Sequence, residues 1–417
     1  MDHRSAIDES NERTRTREDA IQRARNLMSR IGLKFECRVF GDYAKTVSCA
    51  ITDRYGFSTE GHGKGIGNQS FTSAIYEALE HYYYFTEDIQ GAISSVELDF
   101  SGNGSYLIGG SPPVERMFTT LQPIPLSCVQ FESILHPKIF VDFPMALLNP
   151  YYEAPSEAER KAIRSSGLYR YATNSGTASG ATRDEALLHA MLELIERDSL
   201  GIFITNCSLR KSALPVRVVS TASLNERILE VLRNISEQAK AHVEVFNITS
   251  STGVPTFLCS LESDEPKQFR FFGSGSSCLP EYALERAVLE AFQGFCLQFK
   301  FGKEIQPTPI LNTSSNPFQR MRLEHGHLYA KGGYAMEDFD GSQRTELSSI
   351  PKLHCSEQVI RLALQLAKQN IHFYSRDIFE GEVSVVQVIS PQLERFYLMT
   401  KGMPVAPGGR AKAAYEN

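Results

Sequence analysis

The amino-acid sequence predicts an α/β protein, and three observations carry that prediction. Short runs rich in β-branched and aromatic residues alternate with longer segments of helical period. Glycine-containing stretches stand just ahead of three of those helical segments. With 42% apolar and 22% charged residues, the composition is that of a folded globular chain rather than a disordered one.

Taken in order, residues 1–17 form a polar arm that is expected to fray. In residues 18–31, Ala20, Ala24, Leu27, Met28 and Ile31 recur at helical spacing. Residues 37–40 and 46–51 have strand character, and the glycine-rich stretch 63–67 is expected to be a flexible loop before a helix over 71–87. Residues 88–150 carry turn signals such as Ser101-Gly102-Asn103-Gly104 and are expected to form a subdomain of strands and loops. Helix returns over 183–206, strands over 243–248 and 256–261, and a helix over 281–299 behind the loop 273–275. Residues 303–350, polar and aperiodic, are the expected mobile loop. A helix over 357–369 and strands over 371–374 and 383–389 close a main domain of residues 18–400, followed by a tail, 401–417.

Lys plus Arg number 43 and Asp plus Glu 49, a net charge of −6, which argues against generic binding to nucleic acid or an anionic membrane surface. No apolar run reaches the roughly 18 residues that a bilayer span needs, and residues 1–25 lack the apolar core of a signal peptide. The eight cysteines include no CxxC pair and do not resemble a small disulfide framework, so reduced thiols in a cytoplasmic protein are expected.

One local pattern occurs three times: Ala, Glu three positions later, then Glu or Gln three further on. The copies are Ala74–Glu77–Glu80, Ala190–Glu193–Glu196 and Ala287–Glu290–Gln293, each behind a Gly/Ser-rich stretch. At about 100° per residue, Glu185, His189, Glu193, Glu196 and Arg197 share one side of their helix, opposite Leu187, Leu188 and Met191. Arg286, Glu290 and Gln293 likewise share an arc, as do Ser73, Glu77, Glu80 and His81. Singly, each stripe is an ordinary solvated helix face, and Glu193–Arg197 an i,i+4 pair. Repeated three times without a lysine, the acids suit a shared divalent cation such as Mg²⁺, with arginines to clamp phosphate oxygens.

The common nucleotide and hydrolase motifs are absent. There is no GxxxxGK[ST], no GxGxxG between strand and helix, no HExxH, no GxSxG and no protein-kinase signature. The histidines form no zinc spacing with the cysteines, and His325 and His327 have the character of a surface pair.

The segment 174–198, NSGTASGATRDEALLHAMLELIERD, closely resembles the central signature of the YcaO family. The Gly63-Lys64-Gly65 stretch with Ser73-Ala-Ile-Tyr-Glu77-Ala-Leu-Glu80-His81, and the later Arg286-Ala-Val-Leu-Glu290-Ala-Phe-Gln293, resemble its flanking motifs in order and spacing. The resemblance covers residues 18–400. It implies a YcaO-type fold with mixed sheets, neither P-loop nor Rossmann, in which ATP and Mg²⁺ sit among three helices. By motif, Glu77, Glu80, Glu193 and Glu196 correspond to Mg²⁺ ligands. Lys64, Ser73, Glu185, Arg197, Arg286, Glu290 and Gln293 correspond to residues that contact ATP or order its site. The resemblance assigns no catalytic base. His81 stands where the family usually has Arg, and Ala178 and Ala181 where some members carry polar residues.

The family resemblance implies activation of a peptide backbone amide with ATP. A Cys, Ser or Thr of a ribosomal precursor peptide as nucleophile yields an azoline, external sulfide a thioamide, and an amine an amidine. Cyclodehydration is the leading expectation, with an E1-like leader-binding partner and a flavin dehydrogenase. Thioamide formation with a TfuA-type partner is the alternative, and a non-catalytic scaffold subunit, motivated by the three departures, is the third reading. Pro404 and Pro407 give PxxP rather than the PxPxP tail of many azoline-forming members. Residues 1–40 run almost directly into the YcaO region, so leader recognition is expected from a separate protein in an oligomeric assembly.

Overall fold

A computed structural model describes residues 12–87, 93–98, 124–208, 215–263, 269–302, 334–339 and 354–416. Helix α1 (Arg17–Ile31) opens the fold. Thr16 caps its N-terminus by accepting from the Asp19 amide, Gly32 ends it at φ 76°, and Ala20, Ala24, Leu27 and Met28 form its buried stripe. Strands β1 (Lys34–Phe40), β2 (Ala44–Thr52) and β3 (Ser58–Ile66) follow as an antiparallel meander, and α2 (Gln69–Thr86) folds back along β3.

Strands β4 (Ser94–Leu98), β5 (Ile124–Ser133) and β6 (Phe140–Pro144) precede α3 (Glu157–Ser166), β7 (Thr177–Gly180) and α4 (Arg183–Ser208). Next come β8 (Val216–Ser220), α5 (Glu226–Ala239), β9 (His242–Asn247), β10 (Thr256–Ser263), β11 (Phe269–Ser276) and α6 (Pro280–Phe299). The chain closes with β12 (Tyr334–Asp338), α7 (Cys355–Ala367), β13 (Tyr374–Glu380), β14 (Ser384–Ile389) and α8 (Gly409–Glu416).

Three sheets result: β1-β2-β3, β11-β10-β9-β8-β12, and β4-β5-β13-β14-β7 with β6 on β5. The strands of the 88–150 region therefore share a sheet with β13, β14 and β7.

Two of the expected flexible loops are strands. The stretch 63–67 ends β3 and the stretch 273–275 lies inside β11. Their glycines allow a helix to lie directly on the strand that precedes it. A Cβ at Gly61 would sit 2.2 Å from the Ala78 amide nitrogen, and one at Gly273 would sit 2.2 Å from that of Ala291. No side chain fits there, so the two helices approach backbone to backbone through Ala74 and Ala78, and through Ala287 and Ala291. The third stretch, 175–180, is likewise mostly strand, as β7.

The order helix, three antiparallel strands, helix occurs twice, in residues 17–86 and 226–299. Each unit has its own apolar core. Leu27, Val47, Ile51 and Leu79 fill the first, and Ile228, Val245, Leu261, Val288 and Phe292 the second.

Other expectations are altered. Inside 303–350, Tyr334–Asp338 form a strand parallel to β8, while most of that stretch, with His325 and His327, lies outside the described residues. The strand expected over 371–374 begins only at Tyr374. The polar arm does not fray from residue 12 onward: Glu12 is buried and accepts from the Ser277 hydroxyl. No described helix is long and apolar enough to cross a membrane.

Candidate active site

The two repeated units face one another across a cavity, and β7 with α4 closes a third side. The cavity holds roughly 1000 Å³ of empty space counted out to its open mouth, the size range of small-molecule pockets. Lys64, Ser73, Glu77, Glu185, Arg286 and Gln293, all named from sequence, line it. Strand alternation sets the glycines of β3 under α2 and leaves His62 and Lys64 on the other face. Lys64 reaches across to pair with Glu290 on α6, and the Gln293 side chain donates to the His62 carbonyl.

The amides of β7 and its flanks pin acids from two helices. The Ser179 amide donates to Glu80 (3.0 Å), the Gly176 amide to Glu193 (3.2 Å) and the Ala181 amide to Glu185 (3.1 Å). Glu196 is turned elsewhere: it accepts from Ser274 on β11 at 2.7 Å and pairs with Arg197 at 3.2 Å. Arg197 also lies 3.6 Å from Glu193 and stacks over the Tyr397 ring at 5.8 Å.

Electrostatics separate these acids. Burial pushes the Glu77 carboxyl up to about 7, against the pull of Lys64, with Glu290 and Glu193 adding repulsion. Burial, then Glu77 and Glu193, raises Glu80 well above the carboxylate range despite the Ser179 amide. Glu290 is also buried, yet Lys64, Arg197 and Arg286 together hold it below its ordinary value. Burial and Arg286 keep His189 neutral, with its Nδ1 3.3 Å from the Arg286 guanidinium.

Among the described residues, no three Asp, Glu, His or Cys side chains converge as metal ligands do. Glu77, Glu80 and Glu193 are instead neighbours: burial raises the first two, and repulsion from Glu193 adds to it. That surplus of hard oxygen donors beside an open cavity fits a hydrated Mg²⁺, which keeps several waters of its own.

The arm supplies residues that sequence pattern did not mark. Glu185 accepts from the Thr14 amide and hydroxyl, both at 2.6 Å, and from the Arg15 amide at 3.2 Å. Arg13, Arg15 and Arg17 line the cavity with Lys64 and Arg286, so cations ring it. A run of four arginines in residues 13–23 was the available signal. Tyr282, under the Arg286 guanidinium, and Tyr397 also went unmarked.

The three departures from the family pattern leave the acids in place. His81 does not line the cavity, and its Nδ1 lies 2.7 Å from the Glu60 carbonyl on β3. Ala178 is buried in the core beneath α4, and Ala181 lines the cavity.

Acids from α2 and α4 beside a cation-lined cavity, in an α/β fold without a P-loop or Rossmann turn, make a setting suited to an anionic ligand and a divalent cation. A family profile described as YcaO cyclodehydratase, ATP- and Mg²⁺-binding, matches residues 62–394. The chain belongs to the YcaO family, whose cofactors are ATP and Mg²⁺.

Solved structures share the fold. A YcaO protein from Methanopyrus kandleri bound with AMPPCP and Mg²⁺ superimposes with a TM-score of 0.66 at 17% identity, over 95% of this chain and 96% of that one. A heterocyclase in complex with substrate and cofactor gives 0.65 at 18%, over 95% and 58%. The E. coli microcin synthetase McbBCD complex with pro-MccB17 bound gives 0.57 at 15%, over 87% and 88%. Among curated sequences, an uncharacterized protein of Methanothermobacter thermautotrophicus is 30% identical over 233 residues, 55% of this chain and 57% of its own length. An uncharacterized protein in the tfuA 3′ region of Rhizobium leguminosarum bv. trifolii is 25% identical over 243 residues, 55% of this chain and 53% of its own length. This chain thus spans a little over half the length of these curated relatives.

Proposed function

We propose that this protein activates peptide backbone amides with ATP, and that its leading reaction is cyclodehydration of Cys, Ser or Thr to an azoline. The observation that carries the reading is the cavity that gathers Lys64, Arg286 and the arm's arginines beside Glu77, Glu80 and Glu193. An amide oxygen is a poor leaving group, and phosphorylating it after a nucleophile adds to the carbonyl makes it a good one. Charge then develops on the transferred phosphoryl group, where fixed cations are most effective.

Glu77, Glu80 and Glu193 are the residues proposed to hold Mg²⁺, which would supply Lewis-acid stabilisation of the phosphates. Glu196 is proposed to orient Arg197 through their contact, consistent with its bond to Ser274. Lys64 and Arg286 are placed to bind phosphate oxygens, Ser73 and Gln293 to border the nucleotide, and Glu185 to hold the arm over it.

A separate E1-like protein is proposed to present the precursor peptide in the cytoplasm, with a flavin dehydrogenase to oxidise the azoline. The likeness to the microcin synthetase McbBCD, a multi-protein complex with pro-MccB17 bound, supports a peptide substrate and partner subunits. A second reading, thioamide formation with a TfuA-type partner, is favoured by the Rhizobium relative encoded beside tfuA.

Peptide-stimulated ATP hydrolysis tests the shared step. Glu193→Gln abolishes it if these acids bear the metal, and no hydrolysis by the wild type with either partner class identifies a scaffold instead. The mass of the product separates the two enzymes: loss of one water marks an azoline, and exchange of oxygen for sulfur a thioamide.

A further inference from the structure

The β1–β2 ladder places two cysteines in one cross-strand pair. Cys37 and Cys49 are direct partners in the antiparallel register, and their thiols hydrogen-bond one another. Directly opposed residues of this kind have Cα atoms about 4.5–5.5 Å apart. That falls within the about 4.4–6.8 Å that a disulfide spans. No other cysteine faces a cysteine across a described strand pair.

The two thiols are not equivalent. Cys49 is fully buried, whereas Cys37 lies half-buried on β1, an outer strand of its sheet. The hydrogen bond from Cys49 draws the Cys37 thiol below its ordinary value, with help from Arg25 on α1, while the same contact and burial push Cys49 up.

We propose that Cys37 and Cys49 form a peroxide-oxidised dithiol site, with Cys37 the attacked sulfur and Cys49 the resolving one. The Cys37 thiolate attacks one oxygen of hydrogen peroxide; the O–O bond breaks, hydroxide leaves, and the sulfur becomes a sulfenic acid. Cys49 then attacks the Cys37 sulfur as its proton passes to the departing hydroxide, the S–O bond breaks, and water leaves. Two thiols and one peroxide thus give one disulfide and two waters. The bond ties β1 to β2 in the sheet whose third strand carries His62 and Lys64.

The full chain, exposed to a modest excess of hydrogen peroxide and then alkylated under denaturing conditions, tests this by peptide mass. The expected result is loss of alkylation at Cys37 and Cys49 alone, a linked peptide two hydrogens lighter, and recovery of both thiols with dithiothreitol. Cys49→Ala, a small apolar replacement at a buried position, should leave Cys37 as a sulfenic acid that dimedone labels. Alkylation of both cysteines after peroxide, or oxidation of Cys37 without linkage to Cys49 in the wild type, overturns the assignment.

Discussion

Residues 17–86 and 226–299 build the same order of elements, yet their matching acids are pushed in opposite directions. Gly61 approaches Ala74 and Ala78 as Gly273 approaches Ala287 and Ala291, so Glu77 on α2 and Glu290 on α6 occupy equivalent places. Both are desolvated, yet Glu77 titrates near 7 while Glu290 is held below the ordinary carboxylate value. The difference lies in the neighbours. Lys64 acts on both, but it pairs directly with Glu290, which Arg197 and Arg286 also hold down, whereas at Glu77 burial and the carboxylates of Glu290 and Glu193 outweigh its pull. The repeated backbone thus leaves two equivalent acids in different charge states, because the groups that surround each one differ.

The harshest way to break the likeness is to fill the helix–strand contact. Gly61→Val or Gly273→Val forces a side chain into the backbone of α2 or α6 and should cost about 4 kcal/mol or more, with loss of a cooperative thermal transition. Equal losses at the two sites would show that the units contribute alike to stability.

A smaller change aims at charge. Lys64→Met frees Glu290 from its partner and should raise its carboxyl toward that of Glu77. Loss of a charge-assisted contact of about 1.5–3 kcal/mol predicts roughly a 10- to 100-fold weaker ATP affinity by calorimetry.

The metal-free protein should also respond to pH. Native Glu77 retains a proton up to about 7, whereas the unfolded chain releases it in the ordinary glutamate range. The unfolded state therefore binds fewer protons across that window, and stability falls as pH rises through it. Urea titrations in chelator should show this decline, to which Glu80, also raised, contributes with the same sign; Glu77→Gln should lessen it and Glu77→Gln with Glu80→Gln should flatten it. Excess Mg²⁺ should oppose it by favouring the ionised carboxylate.

The least effect is expected at the arm. Thr14→Val removes one hydroxyl bond to Glu185 but keeps the amide bond, so a loss of about 1 kcal/mol should appear as a small shift in thermal midpoint.

Helical period alone located α1, α2, α4, α6 and α7 to within a few residues, because each buries a stripe of apolar or small side chains. It also placed Glu77, Glu80, Glu193 and Glu290 on defined helix faces, and the cavity lies beside those faces. Glycine misled the local reading. In isolation Gly61 to Gly67 and Gly273 to Gly275 signal turns, but most of them lie in strands because a helix closes on them. Strand β12, isolated in a polar stretch, is a strand only because β8, more than a hundred residues away, pairs with it. The arm's role was equally hidden, since Thr14 meets Glu185 across 171 residues of sequence.

The sequence by itself determined the secondary elements that bury periodic stripes, the family and the identity of the acids, since all are written in short-range spacing. Only the tertiary structure decided which acid meets a cation and which meets another acid. It turned Glu196 toward Ser274 and Arg197 and brought Lys64 to Glu290. Burial and distance set those charge states, and both arise from contacts between segments that local sequence does not join.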